Sequence, residues 1–382
     1  MQHKRKIVFF VYNIHGIGGT VRTIVNQANF LVSKGYDVEI VSLRFANRVT
    51  KFDIDTRVKL VDLFNDSRDE KKKTFDEKSK VFDPSEPLYN RINLQIDQKL
   101  KERVSGYRNC VLVSTIPSIS FVLPEYSQKS NVLIAQEHSD IDSFNSQILG
   151  KMREYYCKLK SIVVLSDEAK EKLHLLTGIQ KNKIVVIPNG VLLSNYKSTN
   201  SNKIIVAIGR LSEEKGFDRI PEIYSNIAKD HPDWEVRIYG EGGEKNRIEK
   251  EIDKYYLGDK IHIFPSTQNP YREISEGSIY LVTSRFESFG LTIVEALTSG
   301  VVPIAYETQG SVQLIQNKKN GITVPQDESK RFAEELANLI SDSSLRSQYV
   351  KKGQDTVERY SMETIGKKWI KFYEGCETDA DF

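Results

Sequence analysis

Cysteine is scarce in this chain: Cys110, Cys157 and Cys376 are the only three in 382 residues, odd in number and far apart. A disulfide framework is thereby excluded, no metal-ligand spacing is offered, and a reducing compartment is expected. Long apolar runs are also missing. The stretch Ile7–Tyr12, which follows the start Met1–Lys6, is far too short to span a membrane and has no small-residue cleavage site after it. The chain is expected to stay in the cytoplasm, with a local contact to the inner face of the membrane left open. Net charge is low, +3, and no basic stripe is interleaved with aromatics, which argues against a nucleic-acid partner. The full Gly-x-Gly-x-x-Gly spacing is absent too, because the third position after Gly18 is Val21, and this weakens any dehydrogenase reading.

What is present is enough chain for two domains, with 28% charged residues and the composition of a globular protein. Ile7–Tyr12 reads as a buried strand, followed by His15-Gly16-Ile17-Gly18-Gly19-Thr20 and a helical pattern from about Val21 to Ser33. Such a turn can hold a phosphate or sugar on backbone N–H groups, or can serve close strand–helix packing alone; both readings stay open. Tyr36–Leu43 is a second strand. From Asn65 to Lys80 the chain is polar and charged, as in a surface loop, and Leu88, Ile92, Ile96, Leu100 and Val104 then recur at helical spacing with a basic flank. Short Val/Ile-rich runs at 110–114, 131–136, 162–165 and 184–187 are the signature of a parallel sheet covered by helices. The second of these runs into Glu137-His138, placing His138 at the carboxyl end of a strand, as a ligand-facing group or a core histidine.

A polar connector, Leu192–Asn202, sets the expected domain boundary: 1–195 and 196–361, with 362–382 a last helix carrying Trp369, Ile370, Phe372 and Tyr373. Strand–helix alternation resumes at Lys203–Ile208 and continues through Trp234–Tyr239, Ile261–Phe264, Ser278–Val282 and Val301–Ala305, a second doubly wound α/β sheet. The richest stretch is Thr283–Gly300. Gly290 permits close backbone approach, a helix opens near Leu291, and its first N–H groups form an anion site. Glu287 at the mouth and Glu295 on the flank supply acceptors for hydroxyls, against the plainer reading of one solvated loop residue and one exposed helix carboxylate. Arg210 and Lys215, in Gly209-Arg-Leu-Ser-Glu-Glu-Lys-Gly216, leave another strand end of the same sheet. They can converge on that site and neutralise a diphosphate without a metal, or form surface pairs with Glu213 and Glu214. The glycine loop after Tyr239 and the strand exit at Phe264 lie where base and ribose contacts arise, without fixing the base.

Taken together, Glu287-Ser-Phe-Gly-Leu-Thr-Ile-Val-Glu295, Gly209-Arg210 and Lys215-Gly216 resemble the signature of retaining GT-B glycosyltransferases of family 4. The Gly18-Gly19 loop, His138 and the corner Ile187-Pro-Asn-Gly190 fall in the family's order, so the likeness covers nearly the whole chain. The resemblance implies two facing Rossmann-like domains, the last helix packed back on the first, and a nucleotide sugar bound mainly by the second. It implies that Arg210 and Lys215 hold the diphosphate, Glu295 the ribose and Glu287 the donor sugar. Phe289, Gly290 and Leu291 would add backbone contacts, while His138 and Gly19 approach the donor from the first domain. The donor is expected to be a UDP-sugar carrying a hexose or N-acetylhexosamine. The acceptor is expected to be a glycan or lipid-linked glycan of surface polysaccharide, teichoic-acid or oligosaccharide assembly, and no further cofactor is expected. The chain departs from the family at Val21, where an acidic residue often precedes the arginine, here Arg22, and 45–101 match nothing specific. The competing readings are a non-catalytic nucleotide-sugar-binding subunit and a nucleotide-sugar epimerase.

Overall fold

A computed structural model describes residues 4–45, 49–65, 77–86 and 89–378. The chain divides into two compact units, Met1–Gly190 together with Met362–Phe382, and Val191–Ser361. Among the described residues of the first unit, β1 (Lys6–Val11), β2 (Val38–Ser42), β3 (Lys59–Asp62), β4 (Cys110–Ser114), β5 (Val132–Gln136), β6 (Ser161–Val164) and β7 (Ile184–Val186) form one parallel sheet. Their order is β3-β2-β1-β4-β5-β6-β7, with Phe9 in register with Ile40 on one side and Val113 on the other. Central strands covered on both faces must be apolar throughout, which is why β1, β2 and β4 are buried along their length. Ile96, Leu100 and Val104 of the helix Leu94–Gly106 pack with Val8, Phe10 and Leu112. On another part of the sheet Met152, Tyr156 and Leu173 pack with Ile162 and Val164.

The second unit repeats the plan. Among its described residues β8 (Ile204–Ile208), β9 (Glu235–Tyr239), β10 (Ile261–Phe264), β11 (Ile279–Val282), β12 (Val302–Tyr306) and β13 (Ile322–Val324) are parallel in the order β10-β9-β8-β11-β12-β13. In each sheet the direction of winding reverses beside the first strand, between β1 and β4 and between β8 and β11. The crevice beyond the carboxyl ends at such a reversal is where open α/β sheets take ligands. Two Rossmann-like α/β units are therefore in place, as the sequence pattern implies.

Several local expectations shift. The helix expected from Leu88 starts at Leu94 instead, because Asn93 caps it by accepting from Ile96 N at 3.0 Å, and Tyr89–Arg91 is a separate 3-10 turn. Leu88 lies outside the described residues, as does most of the charged loop before it. β3 and β13 carry no sequence signal. The first is an edge strand with Lys59 and Leu60 exposed, and the second has only three residues. The boundary between units falls at Gly190/Val191 rather than after residue 195. Residues beyond it already belong to the second unit: Val191 N donates to Tyr360 O at 2.9 Å, Ser194 N to Thr298 Oγ1 at 3.0 Å and Ser198 N to Ser299 O at 2.8 Å.

The last helix, Met362–Thr378, packs against the helix Gly19–Ser33 of the first unit. Trp369 and Tyr373 are buried and stacked at 5.6 Å. The Gln27 amide donates from Nε2 to the Tyr373 hydroxyl at 2.9 Å and accepts at Oε1 from Gln136 Nε2 at 3.2 Å, tying β5, the first helix and the last into one polar chain. Tyr373→Phe strands the buried Gln27 donor, so we expect a loss of about 1–3 kcal/mol, read by chemical denaturation. Among the described residues no helix is long and apolar enough to cross a membrane.

Candidate active site

The second unit assembles its candidate residues on two loops, one from the carboxyl end of β8 and one from that of β11. The first loop, Gly209–Gly216, ends in a 3-10 turn at Glu213–Lys215. The second is stitched to it: Arg285 N donates to Glu214 O at 2.8 Å, Arg285 Nη1 to Glu213 O at 2.9 Å, and Thr283 Oγ1 to Lys215 O at 3.3 Å. Arg285 also grips Asp218 with both guanidinium nitrogens at 2.8 Å, and Arg247 reaches the same carboxylate at 3.0 Å. These cations hold the Asp218 carboxyl below its ordinary range against the opposing pull of burial. With the loops fixed, Lys215 Nζ lies 2.5 Å from Glu287 Oε2, their side chains 25% and 14% exposed. Glu287 is thus an engaged residue rather than a solvated one.

Gly290 opens the helix Leu291–Thr298 in the left-handed conformation, φ 87°, and no side chain caps that helix start. Glu295 is 1% exposed, which overturns the reading of an exposed helix carboxylate. Its charge reaches the buried Tyr280 hydroxyl of β11, which donates to Ile208 O at 3.2 Å and is pushed upward in pKa, mainly by burial. Phe289 is buried and its ring meets Tyr360 edge-on at 5.5 Å. Arg210 is not drawn in. Its side chain is 69% exposed and pairs with Glu214 at 3.8 Å, the surface-pair alternative.

In the first unit Gly18 precedes the helix Gly19–Ser33, which no side chain caps, and a Cβ placed on Gly18 meets open space. That glycine is therefore not explained by packing. His138 follows β5 and is half-buried; desolvation holds its imidazole down at about 4, so it is neutral at pH 7. Two groups escaped the sequence reading. His15 Nε2 is 2.8 Å from Asp62 Oδ1, pinning the glycine loop to the end of β3. Gly310 underlies the second-unit loop, donating from its N–H to Glu287 O at 2.8 Å. Neither has a sequence signal, since each pair is joined only by tertiary structure. Among the described residues no group of three or more His, Cys, Asp or Glu is placed to hold a metal ion.

Two Rossmann-like parallel α/β units in one chain fit the plan of a GT-B-type protein, and comparison with known proteins agrees. The model for glycosyl transferases group 1 matches residues 194–356 and that for glycosyltransferase family 4 matches 17–195. The chain belongs to the GT4-type GT-B glycosyltransferases. It is 26% identical over 369 residues to an uncharacterised glycosyltransferase of Haemophilus influenzae, covering 96% of this chain and 99% of that protein. It is 23% identical over 285 residues to a poly(ribitol-phosphate) alpha-N-acetylglucosaminyltransferase of Staphylococcus aureus, covering 73% of this chain but only 57% of that enzyme. Among solved structures, a mutant of S. aureus TarM in complex with fondaparinux, alpha-GlcNAc-glycerol and UDP shares the fold, with a TM-score of 0.79, 16% identity and coverage of 97% and 99% of the two chains.

Proposed function

We propose that this glycosyltransferase is a retaining enzyme that moves a hexose or N-acetylhexosamine from a UDP-sugar to a glycan acceptor, in the assembly of surface polysaccharide, teichoic acid or a lipid-linked oligosaccharide. The observation that carries the reading is the Lys215–Glu287 contact at 2.5 Å, made by two braced loops beside an uncapped helix start. A salt bridge of this kind keeps a cation and a hydroxyl acceptor ready at one point. Donor binding would exchange the pair's mutual contact for phosphate on Lys215 and sugar hydroxyls on Glu287. Arg210, free to swing, would join Lys215 on the diphosphate, while Glu295 would take the ribose and the backbone of Phe289, Gly290 and Leu291 the sugar and phosphate. In the first unit the carboxyl edge with Gly18, Gly19 and His138 would serve the reacting groups. UDP in the TarM complex and the acceptor named for the S. aureus relative support the donor and acceptor classes.

Cleavage of the sugar–phosphate bond builds positive charge at the anomeric carbon and negative charge on the leaving diphosphate. Fixed cations and helix N–H groups lower the barrier by acting where that charge develops. In same-face transfer the acceptor hydroxyl bonds to the anomeric carbon as the phosphate leaves, and the phosphate oxygen takes the hydroxyl proton. A panel of UDP-, GDP- and ADP-sugars, with EDTA present and glycan acceptors supplied, tests the reading through nucleotide release and product analysis. We expect release from a UDP-sugar with the anomeric configuration kept. Turnover only with another nucleotide, an inverted product, or dependence on added metal would each refute that part of the assignment.

A further inference from the structure

The first unit holds a cavity that the donor chemistry leaves unused. It measures about 640 Å³ and lies between the edge strand β3 and the helix Leu94–Gly106, running from Lys6 and Cys110 at the amino ends of β1 and β4 to Leu63, just past β3. Five cationic residues line it: Lys6, Lys59, Lys99, Arg103 and Arg108. Against them stand three acidic ones, Glu39, Asp62 and Glu102, an excess of two positive charges in a chain whose whole net charge is +3.

One buried carboxylate accounts for part of this charge. Glu39 is 1% exposed; one of its oxygens accepts from the Tyr107 hydroxyl and from Arg103 Nη2, while Lys6 Nζ at 2.8 Å and Lys59 Nζ at 3.4 Å meet the other. Burial pushes this carboxyl up, but the hydrogen bonds from Lys6, Tyr107 and Arg103 outweigh it and bring it down to about 2, so Glu39 carries a fixed negative charge. A buried carboxylate needs a paired, hydrogen-bonded cation, and Lys6 and Arg103 already supply two. Lys59, 59% exposed, and Arg108, on the rim with a bond to Gly106 O at 3.3 Å, are not required for it. At the far end Asp62 turns to His15 Nε2 at 2.8 Å, and His15 belongs to the glycine loop before the helix Gly19–Ser33. The cavity therefore leads to that loop.

Its shape narrows the choice of occupant. From Lys59 to Leu63 the wall runs for roughly 13 Å at the rise of a strand, room for more than one charged group, and the volume takes several sugar or polyol units. A flat bilayer surface cannot enter a recess between strand and helix, whereas a chain can lie along it.

We propose that this groove is an acceptor-docking site for a polyanionic chain, one whose repeats carry phosphodiester or carboxylate groups, and that it leads the chain along β3 towards the glycine loop. The proposal rests on the transferase reading and selects, among its acceptor classes, the charged ones. Lysines act as point charges and hold successive oxyanions without imposing a single register, so a chain of repeating charge can advance past them.

Lys59→Gln/Arg108→Gln removes the two rim cations and leaves Glu39 its bonds to Lys6, Arg103 and Tyr107, with circular dichroism as the fold control. Fluorescence anisotropy of labelled oligomers of poly(glycerol phosphate) and of polygalacturonate on the full chain tells phosphate from carboxylate. The wild type should bind at least one of them, and the double variant should bind it about tenfold more weakly. Wild-type affinity should also fall more steeply with salt. In turnover the loss should appear as a higher KM for the anionic acceptor with kcat kept, while KM for an uncharged glycan should not move. Equal affinity of wild type and variant overturns the proposal, as does failure of the wild type to bind either oligomer. A variant that loses binding only to phosphatidylglycerol vesicles overturns it too, in favour of a membrane contact. If no donor is turned over, the transferase reading fails on its own, and the binding comparison still decides whether the groove takes a polyanion.

Discussion

Lys215→Ala is expected to lower kcat by roughly 10²–10³-fold while leaving the protein folded. The size follows from what the ammonium would do. It would sit against a leaving diphosphate whose charge grows in the transition state, and a group acting on developing charge affects turnover more than binding. The fold should tolerate the change because the loop is held by other bonds. Thr283 Oγ1 donates to the backbone of residue 215, and Arg285 clamps Glu213, Glu214 and Asp218. The Lys215–Glu287 pair is partly exposed, so its own contribution to stability is small, about 0–1 kcal/mol. Lys215→Arg keeps the charge but puts a longer planar fork where a compact ammonium sits, so it should restore turnover only in part. Steady-state kinetics with circular dichroism as the fold control decides the matter; turnover near wild type in Lys215→Ala would take the residue out of the site.

The second large effect is expected from a residue that touches no ligand. A Cβ at Gly310 would lie 2.5 Å from both the carbonyl carbon and the oxygen of Phe289, and 2.9 Å from Glu287 O. These are backbone atoms and cannot swing aside. Nor can Gly310 retreat easily, because its helix Gln309–Leu314 is anchored by a capping box in which Thr308 Oγ1 accepts from Ser311 N at 3.2 Å and Thr308 N donates to Ser311 Oγ at 2.8 Å. Gly310→Ala must therefore displace the loop Glu287–Gly290, at a cost of about 1–3 kcal/mol from overpacking. Turnover should fall about 10- to 100-fold, because a reacting group misplaced by an ångström loses most of its advantage. Urea unfolding measures the first effect and donor turnover the second. A variant with altered stability but wild-type kcat would show that this loop does not position the donor.

Legibility from sequence follows the range of each interaction. The central strands are readable because burial on both faces imposes continuous Val/Ile runs, as in Ile7–Val11 and Ile204–Ile208. The loop Thr283–Gly300 is readable because strand, glycine, helix start and carboxylates are consecutive. By contrast Lys59–Asp62 is an exposed edge whose polar alternation resembles a loop, and Ile322–Val324 is too short to show a period. The bracing of the site depends on pairs such as Arg285–Asp218, 67 residues apart, which a single sequence cannot join. The same holds for the buried contact between Glu137 and Tyr156, which joins residues of different elements. Burial of Glu295 was likewise invisible, since a glutamate in a helix gives no sign of which way it faces.

The path of the chain between the units has a practical meaning. Gly190 lies against Met362, where its Cβ would approach the Met362 sulfur to 2.7 Å, and Val191 N donates to Tyr360 O at 2.9 Å. The places where the chain leaves the first unit and comes back to it are thus side by side. Topologically, residues 191–361 are an insertion into a single Rossmann-like module, with termini one hydrogen bond apart. Such a segment can be excised by joining Gly190 to Met362, or exchanged for the corresponding segment of another transferase, with two adjacent joints and no long linker.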